Sequence, residues 1–341
     1  MTSSTERMNT TSSKSFLSPL LSIYSSRLKD LTLLPVLVLL IVVGAFLNHS
    51  FLTAANFVNI CGSSAALAIL VLAESLIIIV GNFDLSLESV CGFAPAIGAM
   101  LVLPLASGGF GTDIPTWIAL SSILIIGGAV GFFNGFLVVK LRLNSFMVTL
   151  AMLIVLRGVL VGATRGSTLF DMPNAFFMLS TDTFMGLPIS VWVAGIAFAV
   201  TGFMLKYHAI GRAIYAIGGN AHAARAAGIA VERITIGVFI LGGVLAAFAG
   251  LVLTGYVGAI NANQGSGIIF TVFAAAVIGG ISLDGGRGSM LGALSGVLLL
   301  AIVQNLLTLA QVPSFWIQAI YGAIILGALM ISRLTSAQDK S

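Results

Sequence analysis

Ten apolar runs, each close to the length that crosses a bilayer, follow one another between residues 31 and 332 and leave little chain between them. A helix needs about 20 mainly apolar residues to cross roughly 30 Å of hydrocarbon, and it satisfies its own backbone there. The runs lie at about 31–47, 59–80, 88–104, 117–139, 146–163, 189–205, 235–257, 268–283, 289–310 and 315–332. They predict an all-α polytopic membrane protein with about ten transmembrane helices. The eighth and ninth are the least regular, because Gly279, Gly280, Gly285, Gly286 and Gly288 sit between them. Composition agrees: 58% of the 341 residues are hydrophobic and only 8% are charged, so the bilayer is the main solvent.

The basic residues orient the chain. With the N-terminus inside, 13 of the 15 Lys and Arg residues fall on the cytoplasmic side, Arg165 lies in an outer loop and Arg157 lies within a span. This asymmetry predicts both termini cytoplasmic and an even number of spans. It also accounts for the net charge of +4 through topology and anionic lipid, with no call for nucleic acid. Residues 1–30 read as a disordered cytoplasmic tail, with nine Ser or Thr in the first 15. Residues 31–332 form the membrane domain, and 333–341 a short cytoplasmic tail. The run at 31–47 exceeds the core of a cleaved signal peptide, so a retained first span is expected. Cys61 and Cys91 lie in or beside spans and read as small packing residues.

No soluble domain fits between the runs. The longest cytoplasmic loop, 206–234, and the longest outer loop, 164–188, are both too short to fold alone. A nucleotide site of the GxxxxGK[ST] type needs a Gly-Lys pair, and none of the five lysines follows a glycine. Histidines at 49, 208 and 222 form no HExxH pattern, and no cysteine pairs accompany them, so no metal site is expected. Catalysis within this chain is therefore not expected. Small residues recur at four-residue spacing, in Gly127-Gly128 with Gly131 and Gly135, in Gly242-Gly243 with Ala246, Ala247 and Gly250, and in Gly288 with Gly292 and Gly296. Such spacing lets helix backbones approach closely in lipid, and packing within the chain is the preferred reading over a dimer face.

Two segments stand out from this background. The first, Gly81-Asn82-Phe83-Asp84-Leu85-Ser86-Leu87-Glu88-Ser89, places two carboxylates at a break between apolar runs. The second is the cytoplasmic loop, where Gly218-Gly219-Asn220 precedes an alanine-rich stretch ending at Gly228, which predicts a short helix with Arg225 on its polar face. A helix of seven or eight residues is not stable alone in water, so a partner must hold it.

Three ordered elements carry a resemblance. Gly211-Arg212-x-x-Tyr215-Ala216-x-Gly218-Gly219-Asn220, followed by Ala223, Arg225 and Gly228-Ile229, resembles the conserved cytoplasmic loop of ribose-type ABC importer permeases. Gly81, Asp84, Leu85 and Ser86 are similar to that family's GGIDLSVGS segment, and residues 276–288 resemble its VxGGxSLxGGxG signature. The resemblance implies the permease subunit of a binding-protein-dependent importer for sugars or sugar-like solutes, in a bacterial inner membrane. It implies three partners: a separate ABC ATPase holding ATP and Mg, a periplasmic or lipid-anchored solute-binding protein, and a second copy or a related permease. The helix near 221–228 becomes the coupling helix, with Gly211, Arg212, Gly219, Asn220, Ala223, Arg225 and Gly228 as its coupling residues. Departures occur at Asn82 and Glu88, which replace glycines, and at Ala221-His222, where relatives commonly carry an acidic residue and alanine.

The remaining ionisable and polar residues leave alternatives open. Asp84 or Ser86 caps the third span with Glu88 in its first turn, or Asp84 and Glu88 gate the path; the two roles can coexist. Glu74 and Arg157 either pair across the bundle or line the pathway. Asn134, Asn144, Asn261, Asn263, Gln264, Gln304, Asn305 and Gln318 are candidate path residues, each also able to serve as interhelical glue. A carrier driven by an ion gradient through Glu74, Asp84 or Glu88 is the rival mechanism, and nucleosides or branched-chain amino acids are the rival cargoes.

Overall fold

The computed structural model describes residues 33–313 and, beyond them, positions 316, 317, 319, 320, 322, 323, 326 and 327. The predicted tails at 1–30 and 333–341 lie outside the described residues, as does the candidate run at 315–332 apart from those positions. Eleven α-helices of six or more residues organise the described chain: α1 (Leu34–Leu47), α2 (Ala54–Ile79), α3 (Leu87–Val102), α4 (Thr116–Lys140), α5 (Ser145–Thr164), α6 (Ile189–Tyr207), α7 (Ala209–Gly219), α8 (Ala221–Ala226), α9 (Val231–Val257), α10 (Ile268–Ile278) and α11 (Met290–Leu309).

Six of these, α2, α4, α5, α6, α9 and α11, are long and apolar enough to cross a membrane, and α1, α3 and α10 are shorter apolar helices. The chain is a multi-pass membrane protein. Local chemistry sets the helix starts. Thr53, Asn144 and Ser289 each accept a first-turn backbone N–H through the side chain, at the heads of α2, α5 and α11. The eighth run departs most from expectation: α10 ends at Ile278, not near 283, and Gly280 follows with φ +84°. At about 1.5 Å per residue its 11 residues rise only about 16 Å, roughly half the hydrocarbon thickness.

Helix α2 is the axis of the fold. Its residues from Ala68 to Ile79 are all buried, and α9, α11, α6, α10 and α7 pack against the helix. A helix apolar on every face and enclosed by protein is a core element. Helices α4, α5 and α6 instead keep large apolar side chains exposed, among them Phe132, Ile154, Val155, Val200 and Phe203, as surfaces facing lipid do. The tightest pairing joins α4 to α9. A methyl added at Gly127 would strike the Gly243 carbonyl oxygen, one at Gly243 the Gly127 carbonyl, and one at Gly131 the Phe239 carbonyl. The two backbones meet with nothing between them, which gains dispersion and Cα–H···O contacts where hydrophobic burial contributes little. The other small-residue rows behave alike: Gly250 sits on the Cys91 carbonyl, Gly292 on that of Gly279 and Gly296 on that of Ala275. These rows pack within the chain.

The loop joining α5 to α6 contributes a small hairpin, Thr183–Phe184 with Leu187–Pro188, turned by Met185 and Gly186 at positive φ. Leu169 exchanges two backbone hydrogen bonds with Ile260 (2.8 and 3.1 Å), tying this loop to the irregular segment before α10.

The α4–α9 contact predicts an asymmetric response to substitution. Gly243→Val should lower the thermal stability of the purified protein by about 1–3 kcal/mol or prevent its accumulation. Gly237→Ala, on the same helix with open space around it, should leave the melting temperature unchanged.

Candidate functional site: a glycine junction and two buried ionic clusters

The three ordered elements, near residues 81–86, 211–229 and 276–288, converge at one end of the bundle. The last carbonyl of α2, on Ile79, accepts a hydrogen bond from the Gly286 N–H at 2.8 Å. A methyl at Gly218, near the end of α7, would strike that carbonyl and come within 2.5 Å of the Gly286 nitrogen. Gly81 turns the chain away from α2 with φ +89°, and Gly285, at φ +81°, would place a methyl 2.9 Å from the Gly81 Cα. The Tyr215 hydroxyl closes the contact by donating to the Gly288 carbonyl at 2.7 Å. Residues 81, 215–218 and 285–288 therefore form a single backbone junction, at which side chains at 218 and 285 would not fit.

Helix α8 hangs from this junction. Asn220 caps it by accepting the Ala223 N–H at 3.0 Å, and Gly228, at φ +82°, ends it as the Ile229 N–H returns to the Ala224 carbonyl. Ala224 is buried, whereas His222, Ala223 and Arg225 are exposed, so the helix turns its other side outward. Of the remaining expected coupling residues, Gly211 is buried against the backbone of Met204 and Leu205, Arg212 is exposed with its guanidinium donating to the Tyr207 carbonyl at 3.1 Å, and Gly219 is exposed. Beside α8 lies an open cavity of about 650 Å³, whose charged rim comprises Arg142, Arg225, Glu232 and Asp284. Lys140 and Glu232 pair at its edge, 2.5 Å apart.

Behind the junction, the segment 83–86 is pinned from neighbouring helices. Phe83 N–H donates to Ser145 Oγ at 3.3 Å and Leu85 N–H to Thr149 Oγ1 at 3.1 Å. The Asp84 carboxylate is fully buried and accepts from the Ser86 N–H at 2.9 Å, from the Ser86 hydroxyl and, at 3.5 Å, from the Asn134 amide. Asn134 also donates to Ser86 Oγ at 2.8 Å, so α4 reaches the start of α3. Ser86 occupies the N-cap position of α3 without a side-chain cap hydrogen bond, and Asp84 folds back in an Asx-type turn. Glu74, one turn and a half before the end of α2, accepts the Asp84 N–H at 3.3 Å and is itself fully buried.

Glu88 does not turn back to its own helix. Its carboxylate crosses to the head of α10, accepting the N–H groups of Gly267 at 3.0 Å and Ile269 at 3.4 Å, where the helix dipole favours an anion. Arg157 on α5 supplies the countercharge at 3.3 Å and donates a second hydrogen bond to the Gln264 carbonyl at 3.0 Å. Gln264 is buried too and spans the carbonyls of Cys91 and Gly250 and the hydroxyl of Thr254, at 3.1–3.2 Å. Glu88 and Arg157 thus anchor a half-length helix by its N-terminus. Of the alternatives for Glu74 and Arg157, pairing with one another is not the arrangement found: Arg157 pairs with Glu88, and Glu74 lies beside Asp84.

The polar candidates in the spans divide by contact. Asn305 and Asn56 exchange amide hydrogen bonds at 2.7 and 3.0 Å, joining α11 to α2. Asn144 caps α5, and Asn261 accepts the Asn263 N–H at 3.0 Å in the turn before α10. Gln318 lies outside the described residues. Ser145 and Thr149 were not anticipated. Hydroxyls four residues apart lie on one helix face, and that spacing was the available signal.

Removing one member of a buried pair leaves an uncompensated charge, at a cost of about 3–5 kcal/mol. Arg157→Ala should therefore destabilise the folded protein by that order in thermal unfolding. Adding Glu88→Gln should recover part of the loss; a double variant no more stable than the single one would refute the pairing.

The chain is 33% identical over 303 residues to the ribose import permease protein of Escherichia coli strain K12, covering 86% of this chain and 91% of that one. It is 32% identical over 291 residues to the L-arabinose ABC transporter permease protein of Azospirillum brasilense, covering 85% and 84%. It is 32% identical over 314 residues to the autoinducer 2 import system permease protein of Escherichia coli strain K12 / DH10B, covering 92% and 90%. No solved structure matches it. The family model described as the branched-chain amino acid transport system / permease component matches residues 56–332, the stretch that contains the glycine junction and both ionic clusters, and this chain belongs to that family.

Proposed function

We propose that this chain is the membrane permease of an ATP-driven importer for a sugar or sugar-like solute in a bacterial inner membrane. The observation that carries the mechanism is α8, a six-residue helix capped at both ends, exposing Arg225 and attached to a junction of bare backbone. So short a helix gains its stability from what it docks against. On this reading it is the coupling helix and seats in a separate ATPase subunit, which binds ATP and Mg and hydrolyses the nucleotide. The permease itself is not an enzyme and binds no cofactor.

The junction supplies the route for motion. Displacing α8 moves Gly218, which lies on the Ile79 carbonyl and beside Gly286; α2, the start of α3 and the α10–α11 connection must follow as a unit. Close-packed backbone transmits such a push with little slack. Nucleotide need only favour one arrangement of the pair over the other to switch the pathway. The connections after α2, after α4 and after α10, with the first turns of α9, line the cavity beside α8. Together with the basic residues at these connections, this supports a cytoplasmic face here, both termini inside and ten membrane helices. A binding protein delivers the solute on the opposite face. The permease works as a pair, with a second copy or a related chain, held in membrane lipid and requiring no nucleic acid.

The sugar class rests on the ribose and L-arabinose permeases among the relatives. The family description names branched-chain amino acids, and that cargo is the second reading. A ligand screen of the cognate binding protein separates them: saturable binding of a pentose or related sugar supports the first, and binding of leucine or valine alone replaces it.

Arg225→Glu combined with Gly228→Val should leave membrane insertion intact and reduce ATPase co-purification at least tenfold; undiminished capture would overturn the coupling assignment. Asp84→Asn should reduce uptake by more than tenfold while the protein still assembles with its ATPase, if Asp84 gates. Loss of the assembled protein would assign Asp84 to shaping the loop instead.

A further inference from the structure

The Glu74–Asp84 pair sets a problem of charge that the transport mechanism leaves unused. Both residues are fully buried, and the Asp84 N–H lies 3.3 Å from Glu74 Oε1, so two carboxyl groups share one enclosed site. Their surroundings differ sharply. Asp84 draws two donors from Ser86 and a third from Asn134, as an anion requires. Glu74 receives a single N–H on Oε1, and its Oε2 is buried with no partner. A second buried acceptor in the same cluster, Asn134 Oδ1, also lacks a donor.

The helices around the pair bring it no cation. On α3, Glu88 is committed to Arg157 of α5. On α9, Glu232 is paired with Lys140 of α4, and Arg233 is exposed. Lys206 of α6 and Arg212 of α7 are exposed, as are Arg142, Asp284 and Arg287 in the nearby connections, and α10 and α11 carry no charged residue. Among the described residues there is also no group of three His, Cys, Asp or Glu to hold a metal ion. Two anions side by side in a buried site are strongly disfavoured, and such pairs keep one proton between them.

We propose that Glu74 and Asp84 form a single-proton site, with the proton resident on Glu74 while the inner-face junction is closed. Neutral Glu74 accepts the Asp84 N–H through its carbonyl oxygen and offers an O–H from Oε2; Asp84 holds the one negative charge on its three donors. The proton is a fixed constituent of the closed state rather than a driving ion. Glu74 lies five residues before Ile79, so opening the Gly218–Ile79–Gly286 contact is the movement that would admit water to it.

Infrared spectroscopy of the full chain reconstituted in lipid with its ATPase tests this. At neutral pH without nucleotide, the spectrum should contain a carboxylic-acid carbonyl band that moves on ¹³C-glutamate labelling and is absent in Glu74→Gln. Asp84→Asn should retain it. Absence of the band in the native protein, or a band that follows ¹³C-aspartate instead, would overturn the assignment. The labelling arm uses the unmutated chain and so holds even if Glu74→Gln does not fold.

Discussion

The contact on which this end of the bundle depends is made almost entirely by backbone. The Ile79 carbonyl is one of the last in α2 and would end unsatisfied in an apolar setting; the Gly286 N–H satisfies it from a connection more than 200 residues away in the chain. Gly218 covers the same carbonyl from α7, and Gly81 and Gly285 stack beside it. Because no side chain intervenes, the three segments are held at backbone distance. Two requirements account for the glycines: at 218 and 285 a methyl would collide with neighbouring backbone, and at 81 and 285 the backbone adopts a positive φ. Helix α8, though only six residues long, inherits a defined position from this junction.

Around it, the fold resolves each buried charge differently. Glu88 and Arg157 neutralise one another, and the anion also meets the free N–H groups of a half-length helix. Asp84 spreads its charge over hydroxyl, amide and backbone donors. Glu74 has neither cation nor full complement of donors, and a neutral acid is the form its surroundings accommodate. Glu88 and Asp84 lie four residues apart in sequence, yet they serve separate clusters, Asp84 behind the glycine junction and Glu88 at the head of α10.

Much of this could be read in the residues. The long apolar runs were legible because a bilayer demands about 20 of them in a row, and α2, α4, α5, α6, α9 and α11 follow those runs closely. Run eight was read too long: hydropathy continues past Ile278, while Gly279 and Gly280 let the chain turn once α11 approaches through Gly292. The small-residue rows announced close packing, and Asn220 with Gly228 announced both ends of α8. The choice of partner for Arg157 was not legible. Three carboxylates, Glu74, Asp84 and Glu88, were available, and only the placement of α5 against α3 and the turn at Gln264 brings Glu88 within reach.

By itself, then, the sequence determined that the chain lives in a membrane, which connections carry its positive charge, that no nucleotide-cradling loop is present and where the glycine-rich and acidic elements lie. These are properties of composition and spacing, which need no neighbour to have meaning. Only the tertiary structure decided that residues 81, 218 and 286 form one contact, that Glu88 holds the head of α10, and that Glu74 and Asp84 share a closed site. Those outcomes depend on which backbones approach within a few ångströms, and in lipid that is settled by the packing of all the helices together.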